Sequence, residues 1–144
     1  MSGFERGDYG LLSDLHRQVF EKFVYVTDQQ KHGRPEHWED ASTLKNIGRT
    51  GVSKFKGDCE EFSLVCLDQL VRNGYQARLV VCMDETGAGH CICEVSSKDG
   101  KEAYYFDNRR HTLAVKKDLA KYKFVAVSPW NPEPSDTRPW LKVK

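Results

Sequence analysis

The stretch Lys56-Gly57-Asp58-Cys59-Glu60-Glu61-Phe62 opens an apolar run that ends just before Gly74. Asp58 is a typical N-cap residue, and Glu61, three positions later, completes the spacing of a capping box. Gly74 can adopt the left-handed conformation that ends many helices. Because the residues in between are apolar nearly all round, the sequence predicts a buried helix with Cys59 at its first position.

A cysteine at the start of a helix lies among unpaired backbone N–H groups and the positive end of the helix dipole. We therefore expect the Cys59 thiol to ionise more easily than a free cysteine, whose pKa is about 8.5. The carboxylates of Asp58, Glu60 and Glu61 act in the opposite direction, because negative charge within one turn opposes a thiolate. A bound cation, or side chains that point away from the sulfur, would resolve this conflict.

The whole chain has 144 residues, 22 of them basic and 21 acidic, and a net charge of +1. This length is typical of one domain with a real hydrophobic core. The even charge balance gives no indication of a nucleic-acid or membrane partner. Neither a transmembrane run of about 18 apolar residues nor the apolar core of a signal peptide is present. We expect a cytoplasmic protein, and a virus-encoded origin is also compatible with these features.

The chain contains five cysteines, an odd number, so at least one of them is unpaired within the monomer. Together with the absence of a recognisable leader, this count favours reduced thiols over a disulfide framework. A small buried hydrophobic side chain is the ordinary interpretation of each cysteine other than Cys59.

Periodicity predicts the remaining elements. Apolar residues recur at three- and four-residue steps over residues 8–26, which indicates an amphipathic helix covering one face of the core. Strands are predicted at residues 77–83, 90–96, 103–108 and 123–128. Residues 129–144 hold four of the five prolines and are expected to form an extended surface tail. Helices followed by antiparallel strands predict a single α+β domain over residues 1–144, with the helices on one side of the sheet.

The dipeptide Asp99-Gly100 is the strongest hairpin signal in the sequence. A two-residue turn at this point pairs strand residues whose numbers sum to 199, so that Ile92 faces Asp107. His90 then lies on the same face as a diagonal neighbour of Asp107, at roughly 7–8 Å. A shift of one residue in the pairing would separate the two side chains.

These positions form a candidate catalytic set. A histidine beside a carboxylate is held in one tautomer, and a cysteine at a helix start can supply a nucleophile. Cys59, His90 and Asp107 would then be nucleophile, base and orienting carboxylate. Each also has an ordinary structural interpretation alone, but three such explanations would have to coincide. The large residue Trp38, in the polar segment before the helix, is either a packing anchor or a hydrogen-bond donor at the site.

The same residues resemble the bacterial transglutaminase-like cysteine peptidases, a family that includes calcium-dependent periplasmic proteases releasing biofilm adhesins. The stretch from Gly57 to Phe62 is similar to the family's Gly-Asp-Cys-Glu-Asp motif. Gly89-His90 and Phe106-Asp107-Asn108 resemble its two later motifs. Residues 25–28, Trp38, 118–119 and 122–124 resemble further family positions, so the likeness covers most of the chain.

The resemblance implies a papain-like or transglutaminase-like core, with the nucleophile at the start of a buried helix packed on an antiparallel sheet. It implies a peptide or amide hydrolase acting through a thioester, with Cys59, His90 and Asp107 as the triad. It also implies calcium near Asp58, Glu60 and Glu61, whose oxygen ligands suit that ion although it takes six to eight of them. In this mechanism the Cys59 backbone N–H stabilises the oxyanion, and the Trp38 indole is the candidate second donor.

Three alternatives remain open at this point. An acyltransferase with an amine acceptor shares the thioester step and differs only in the second reactant. A catalytically inactive relative would keep the fold and bind calcium or a protein partner. A zinc site could use Cys91 and Cys93 with His90 or Cys82, although strand alternation puts His90 on the other face from the two cysteines. The expected partner in the enzymatic interpretations is a protein or peptide substrate.

Overall fold

The computed structural model describes residues 4, 7–26, 59–133 and 136–143, and only the backbone of residues 23–26. Two helices are followed by five strands: α1 (Asp8–Val26), α2 (Cys59–Arg72), β1 (Gln76–Met83), β2 (Gly89–Ser96), β3 (Ala103–Phe106), β4 (Lys123–Val127) and β5 (Leu141–Lys142). A 3₁₀ turn at Lys116–Leu119 precedes β4. No helix in these described ranges has the length and apolarity required to cross a membrane.

Helix α1 has the bounds that its periodicity predicts, and Leu12, Leu15 and Val19 bury the expected apolar stripe. Leu11 differs from the prediction, because its side chain is 45% exposed. The buried face instead includes His16, which is fully buried. Since buried polar groups need partners, this histidine must take part in a specific interaction.

Helix α2 ends as predicted. The N–H of Tyr75 bonds to the carbonyl of Leu70 at 2.9 Å, and the N–H of Gly74 bonds to Val71 at 3.0 Å. This pair of bonds is a Schellman motif, and Gly74 adopts the positive φ of 84° that the motif requires. Half of the helix is buried, with Phe62 and Leu67 fully enclosed. The predicted N-cap, Asp58, lies outside the described residues.

The five strands form one antiparallel sheet in the order β3-β2-β1-β4-β5. Helix α2 packs on β1 and β2, and α1 packs on α2. The predicted α+β class is therefore confirmed. The side of the sheet that faces the helices holds the main core, including Leu79, Val81, Cys91, Cys93 and Val95. The opposite side carries a smaller cluster: Val80, Ile92, Tyr105, Ala114, Leu119 and Val127.

The pairing of β2 with β3 has the predicted register, since Cys93 lies opposite Phe106 and Ser96 opposite Ala103. The predicted two-residue turn is wrong. The N–H of Gly100 bonds to the carbonyl of Ser97 at 3.0 Å, and Gly100 has a φ of 75°. The connection is therefore four residues, 98–101. The strand register is nevertheless as predicted, because the predicted turn would pair residues 98 and 101 and the observed loop pairs residues 97 and 102, and both pairs sum to 199.

Strand β3 ends at Phe106, two residues earlier than predicted, so Asp107 is the first residue beyond it. The following loop returns to the strand, where Tyr105 and Ala114 exchange hydrogen bonds of 2.9 and 3.1 Å.

The proline-rich tail, predicted to be extended on the surface, is anchored at Asn131. The amide oxygen of Asn131 accepts a 2.8 Å bond from the N–H of Ala77, and its own N–H donates to the Ala77 carbonyl at 2.7 Å. Beyond it, β5 pairs along β4 at the edge of the sheet, a strand that the sequence did not predict. Edge positions tolerate a neighbouring proline because half of the backbone groups face outward.

Candidate active site

The two side chains predicted to be diagonal neighbours are in contact. His90 is the second residue of β2, and its Nε2 lies 2.8 Å from Oδ1 of Asp107. His90 is 2% exposed and Asp107 is fully buried. A buried imidazole–carboxylate contact of this length fixes the orientation of the ring, because neither group has a competing water partner.

Five hydrogen bonds converge on Asp107. Besides His90, Oδ1 accepts from the N–H of Arg109 at 2.9 Å, and Oδ2 accepts from the Tyr122 hydroxyl at 2.7 Å. Burial alone raises the pKa of the Asp107 carboxyl, but the hydrogen bonds from His90, Arg109 and Tyr122 bring it below its ordinary value. The group is therefore a carboxylate at neutral pH. An ionised carboxylate only accepts, so His90 Nε2 carries the hydrogen and Nδ1 is the basic nitrogen.

The other two bonds reach the Asp107 carbonyl oxygen, one from the N–H of Arg110 at 3.1 Å and one from α1. His16 Nε2 lies 3.2 Å from the Asp107 carbonyl oxygen, and the two residues are 91 positions apart in the sequence. Burial lowers the pKa of His16, so the ring is neutral and donates through this nitrogen. Helix α1 therefore does more than cover the core, because it holds the backbone of the residue that orients His90.

An ion-pair clamp fixes the loop that carries Asp107. The guanidinium of Arg109 binds both carboxylate oxygens of Glu85 at 3.1 and 3.0 Å, and it lies 3.5 Å from Asp84. Glu85 belongs to the β1–β2 connection, so the clamp joins the two loops on either side of His90. The imidazole ring of His90 also packs edge-on against the ring of Tyr122, with the centroids 5.2 Å apart. The sequence did not single out His16, Arg109 or Tyr122 for a role at this site.

Cys59 is the first residue of α2, as predicted, and is fully buried. The expected shift of its pKa is wrong in direction. Burial is the largest influence and raises the pKa of the thiol to about 12, with Glu60 and Asp107 adding to the increase and the N–H groups of Cys91 and Glu60 opposing it. The favourable helix terminus is present, but loss of water around the sulfur outweighs it. The resting thiol is therefore neutral.

The position of the thiol relative to the pair follows from strand β2. Cys91 faces α2, where Ser63 donates a 2.9 Å bond to its carbonyl, and the Cys91 N–H lies close enough to the Cys59 sulfur to affect its pKa. His90, one residue earlier, packs against Tyr122, and the charge of its partner Asp107 acts on the Cys59 thiol. The structure thus joins His90 to Asp107 and places Cys59 at the end of β2 that carries His90.

This geometry accords with two comparisons with known proteins. The sequence profile of the bacterial transglutaminase-like cysteine proteinases matches residues 5–144, nearly the whole chain. The chain belongs to this family. Three structures of Legionella pneumophila LapG are similar in fold: LapG itself, an EGTA-treated form and a calcium-bound form. No curated protein sequence matches the chain.

The similarity to LapG is one of fold. All three LapG structures give a TM-score of 0.51 at 15% identity over 81% of this chain. The chain spans 64% of LapG and of its calcium-bound form, and 62% of the EGTA-treated one. A transglutaminase-like core is thus shared, with a longer chain in LapG.

One of the LapG structures is calcium-bound, and the sequence resemblance predicts Asp58, Glu60 and Glu61 as calcium ligands in this chain. Glu60 and Glu61 lie half-buried in the first turn of α2, and Asp58 and Trp38 lie outside the described residues. Within the described ranges, no cluster of three or more histidine, cysteine or acidic side chains could hold a metal ion. Glu60 and Glu61 supply only part of the six to eight oxygen ligands that calcium takes, so a bound ion would need further ligands from other groups and water.

The five cysteines are all free and buried. Cys91 and Cys93 share the helix-facing side of β2, while His90 is bonded to Asp107. The zinc alternative therefore receives no support from the described part of the chain.

Proposed function

We propose that the protein is a cysteine-dependent hydrolase of peptide or amide bonds, with Cys59 as nucleophile, His90 as general base and Asp107 as the orienting carboxylate. The observation that carries the proposal is the buried 2.8 Å contact between His90 and Asp107 beside the helix start that holds Cys59. Membership of the transglutaminase-like cysteine proteinases supports the same reaction class. The approach of the Cys59 sulfur to His90 Nδ1 across the end of β2 is part of the proposal.

In the first half of the reaction, the Cys59 sulfur attacks the substrate carbonyl carbon while its proton passes to His90 Nδ1. Because the resting thiol is neutral, proton transfer accompanies attack and does not precede it. Asp107 holds the ring in the productive tautomer and stabilises the imidazolium that forms. The backbone N–H of Cys59 is the first donor to the oxyanion, and Trp38 remains the predicted second donor.

In the second half, the tetrahedral intermediate collapses, the carbon–nitrogen bond breaks, and the His90 proton moves to the leaving amine. Water then attacks the carbonyl carbon of the Cys59 thioester while His90 removes its proton. The carbon–sulfur bond breaks as the second tetrahedral intermediate collapses, and the proton passes from His90 to the sulfur as the acid product leaves. Acyl transfer would replace water by an amine at this step. Incubation with methylamine therefore separates the two outcomes, since a transferase yields the methylamide and a hydrolase the free acid.

The test of hydrolysis uses a library of peptides made by digesting a bacterial lysate, with new termini detected by mass spectrometry. We expect the wild-type chain to generate new termini and Cys59→Ala to reduce their rate by at least about 10³-fold. Cys66→Ala is the matched control, because it makes the same replacement two turns further along α2. Equal cleavage by wild type and Cys59→Ala would refute the assignment, and so would loss of cleavage in Cys66→Ala at unchanged thermal stability.

We also propose that calcium binds at the first turn of α2 through the predicted ligands Asp58, Glu60 and Glu61, with other groups and waters completing its shell. The support is the pair of half-buried carboxylates in the predicted motif, together with the calcium-bound form of LapG, which shares the fold. An ion there would offset the negative charge of Glu60 that raises the pKa of the Cys59 thiol.

A further inference from the structure

The positive charge of the protein is concentrated in one segment. Residues 109–123 contain six of the 22 basic residues and one of the 21 acidic residues, a net charge of +5 in a chain of net +1. The rest of the chain therefore carries −4. This segment runs from the loop after Asp107 through the 3₁₀ turn to the start of β4. It is thus directly connected to the candidate active site.

Part of this segment forms a cleft of about 310 Å³, lined by Glu85, Arg110 and residues 117–122. We call this the basic cleft. A space of this size accommodates a few side chains of a bound peptide, and it is open to solvent on one side.

The cations of the basic cleft are available for an incoming anion. Arg110 donates one 2.8 Å bond to the Asp118 carbonyl, which fixes its guanidinium and leaves its remaining N–H groups. Lys117 and Lys121 are exposed and enter no ion pair within the described part of the chain. Three cations therefore face the same space.

The two carboxylates of the basic cleft are already engaged. Glu85 is held by both terminal nitrogens of Arg109, which lowers its pKa to about 2 and neutralises its charge. Asp118 accepts the N–H of Val115 at 3.0 Å. That bond leaves the charge of Asp118 in place, so three cations face one uncompensated carboxylate and the cleft is positive.

Tyr122 joins the basic cleft to the proposed catalytic pair. It lines the cleft, its hydroxyl bonds to Asp107 at 2.7 Å, and its ring packs on His90. A ligand in the basic cleft would be separated from His90, the proposed base, by the side chain of Tyr122.

We propose that the basic cleft binds an acidic segment of the peptide substrate, rich in aspartate or glutamate, beside the bond to be cleaved. This proposal rests on the proposed function and specifies its substrate class. A nucleic acid fits less well, because the one aromatic ring of the cleft, Tyr122, is already packed against His90 and Arg109. Stacking platforms are the usual complement to positive charge in single-strand binding.

Binding can be measured without catalysis. Fluorescein-labelled hexaglutamate, with labelled hexaglutamine as the neutral probe, is titrated with Cys59→Ala protein and followed by fluorescence anisotropy. We expect hexaglutamate to bind more tightly, and Lys117→Gln/Lys121→Gln to weaken it about three- to tenfold. Lys98→Gln/Lys142→Gln is the matched control, since both lysines are exposed and lie outside the cleft. Arg110 is left intact because its bond to Asp118 supports the loop.

The outcomes separate the two proposals. Equal binding of the two probes, an equal loss in the control variant, or tighter binding of oligo(dT) than of hexaglutamate would overturn the acidic-segment proposal. Selective binding in a protein that cleaves no library peptide would retain the cleft and refute the hydrolase. Cleavage with no preference for acidic peptides, unchanged in Lys117→Gln/Lys121→Gln, would retain the hydrolase and refute the cleft.

Discussion

The hydroxyl of Tyr122 donates a 2.7 Å hydrogen bond to Oδ2 of Asp107, the carboxylate oxygen that His90 does not use. Each oxygen of the proposed orienting group is thus held by a different part of the chain. A carboxylate fixed at both oxygens cannot rotate away from the imidazole, so the ring orientation depends on a residue outside the proposed triad.

Replacing Tyr122 by phenylalanine removes this bond and keeps the ring that packs on His90. We expect kcat to fall by about tenfold with little change in KM, because the base loses orientation and substrate contacts remain. The measurement uses a peptide selected from the library. An unchanged kcat with a lower melting temperature would instead indicate a purely structural role.

The raised pKa of Cys59 predicts how its reactivity depends on pH. Below a pKa of about 12, the thiolate fraction increases about tenfold for each pH unit. Iodoacetamide labelling of Cys59 in the resting protein should therefore rise steeply between pH 6 and pH 9, without a plateau. Peptide mapping measures the rate, and the same cysteine in urea-unfolded protein is the reference. A plateau below pH 7 would show a preformed thiolate and contradict this expectation.

His16 predicts a loss of stability at mildly acidic pH. Burial lowers its pKa below the ordinary value of about 6.5, although the hydrogen bond and charge of Asp107 oppose the shift. The unfolded chain therefore binds the proton first, and stability falls as the pH drops below about 6.5, by at most about 1.4 kcal/mol per pH unit. Urea unfolding at pH 5, 6 and 7 measures this.

In the same experiment, His16→Gln should flatten the dependence on pH while its amide replaces the bond to the Asp107 carbonyl. His111→Gln is the control, because His111 is exposed. Equal flattening in both variants would assign the effect to another group.

Calcium should raise the melting temperature of the protein relative to EGTA-treated samples. At a hundred times Kd, the expected increase is on the order of 5–10 °C. The double variant Glu60→Gln/Glu61→Gln should lose this increase, whereas Glu133→Gln, an exposed carboxylate in the tail, should retain it. Magnesium serves as the ion control. A calcium shift that persists in the double variant would place the ion elsewhere.

Local signals predicted the elements well. The bounds of α1 and the Gly74 end of α2 follow from periodicity and from the conformational freedom of glycine, which act within a few residues. The contact of His90 with Asp107 follows from a hairpin register, which is also local. Such features are readable because the interactions that determine them lie close together in sequence.

The missed features depend on distant contacts. His16 meets Asp107 across 91 residues, and its spacing from Leu12 and Val19 on the apolar face of α1 indicates burial without indicating this partner. The pKa of Cys59 depends on how completely α2 and the sheet exclude water, so the helix start alone gave the wrong direction. The edge strand β5 escaped prediction because its two residues follow a proline-rich segment.

The short loop between β2 and β3 has a consequence for how this protein can change. His90 lies on one arm of this hairpin, Asp107 directly follows the other arm, and the loop 98–101 sets which residues of the two arms meet. Because side chains alternate along a strand, loss of one residue from that loop would rotate a whole arm by half a period. An insertion or deletion of one residue there would move side chains of one arm to the other face of the sheet. We therefore expect natural variants of this loop to differ in length by even numbers of residues, even where the residues themselves differ.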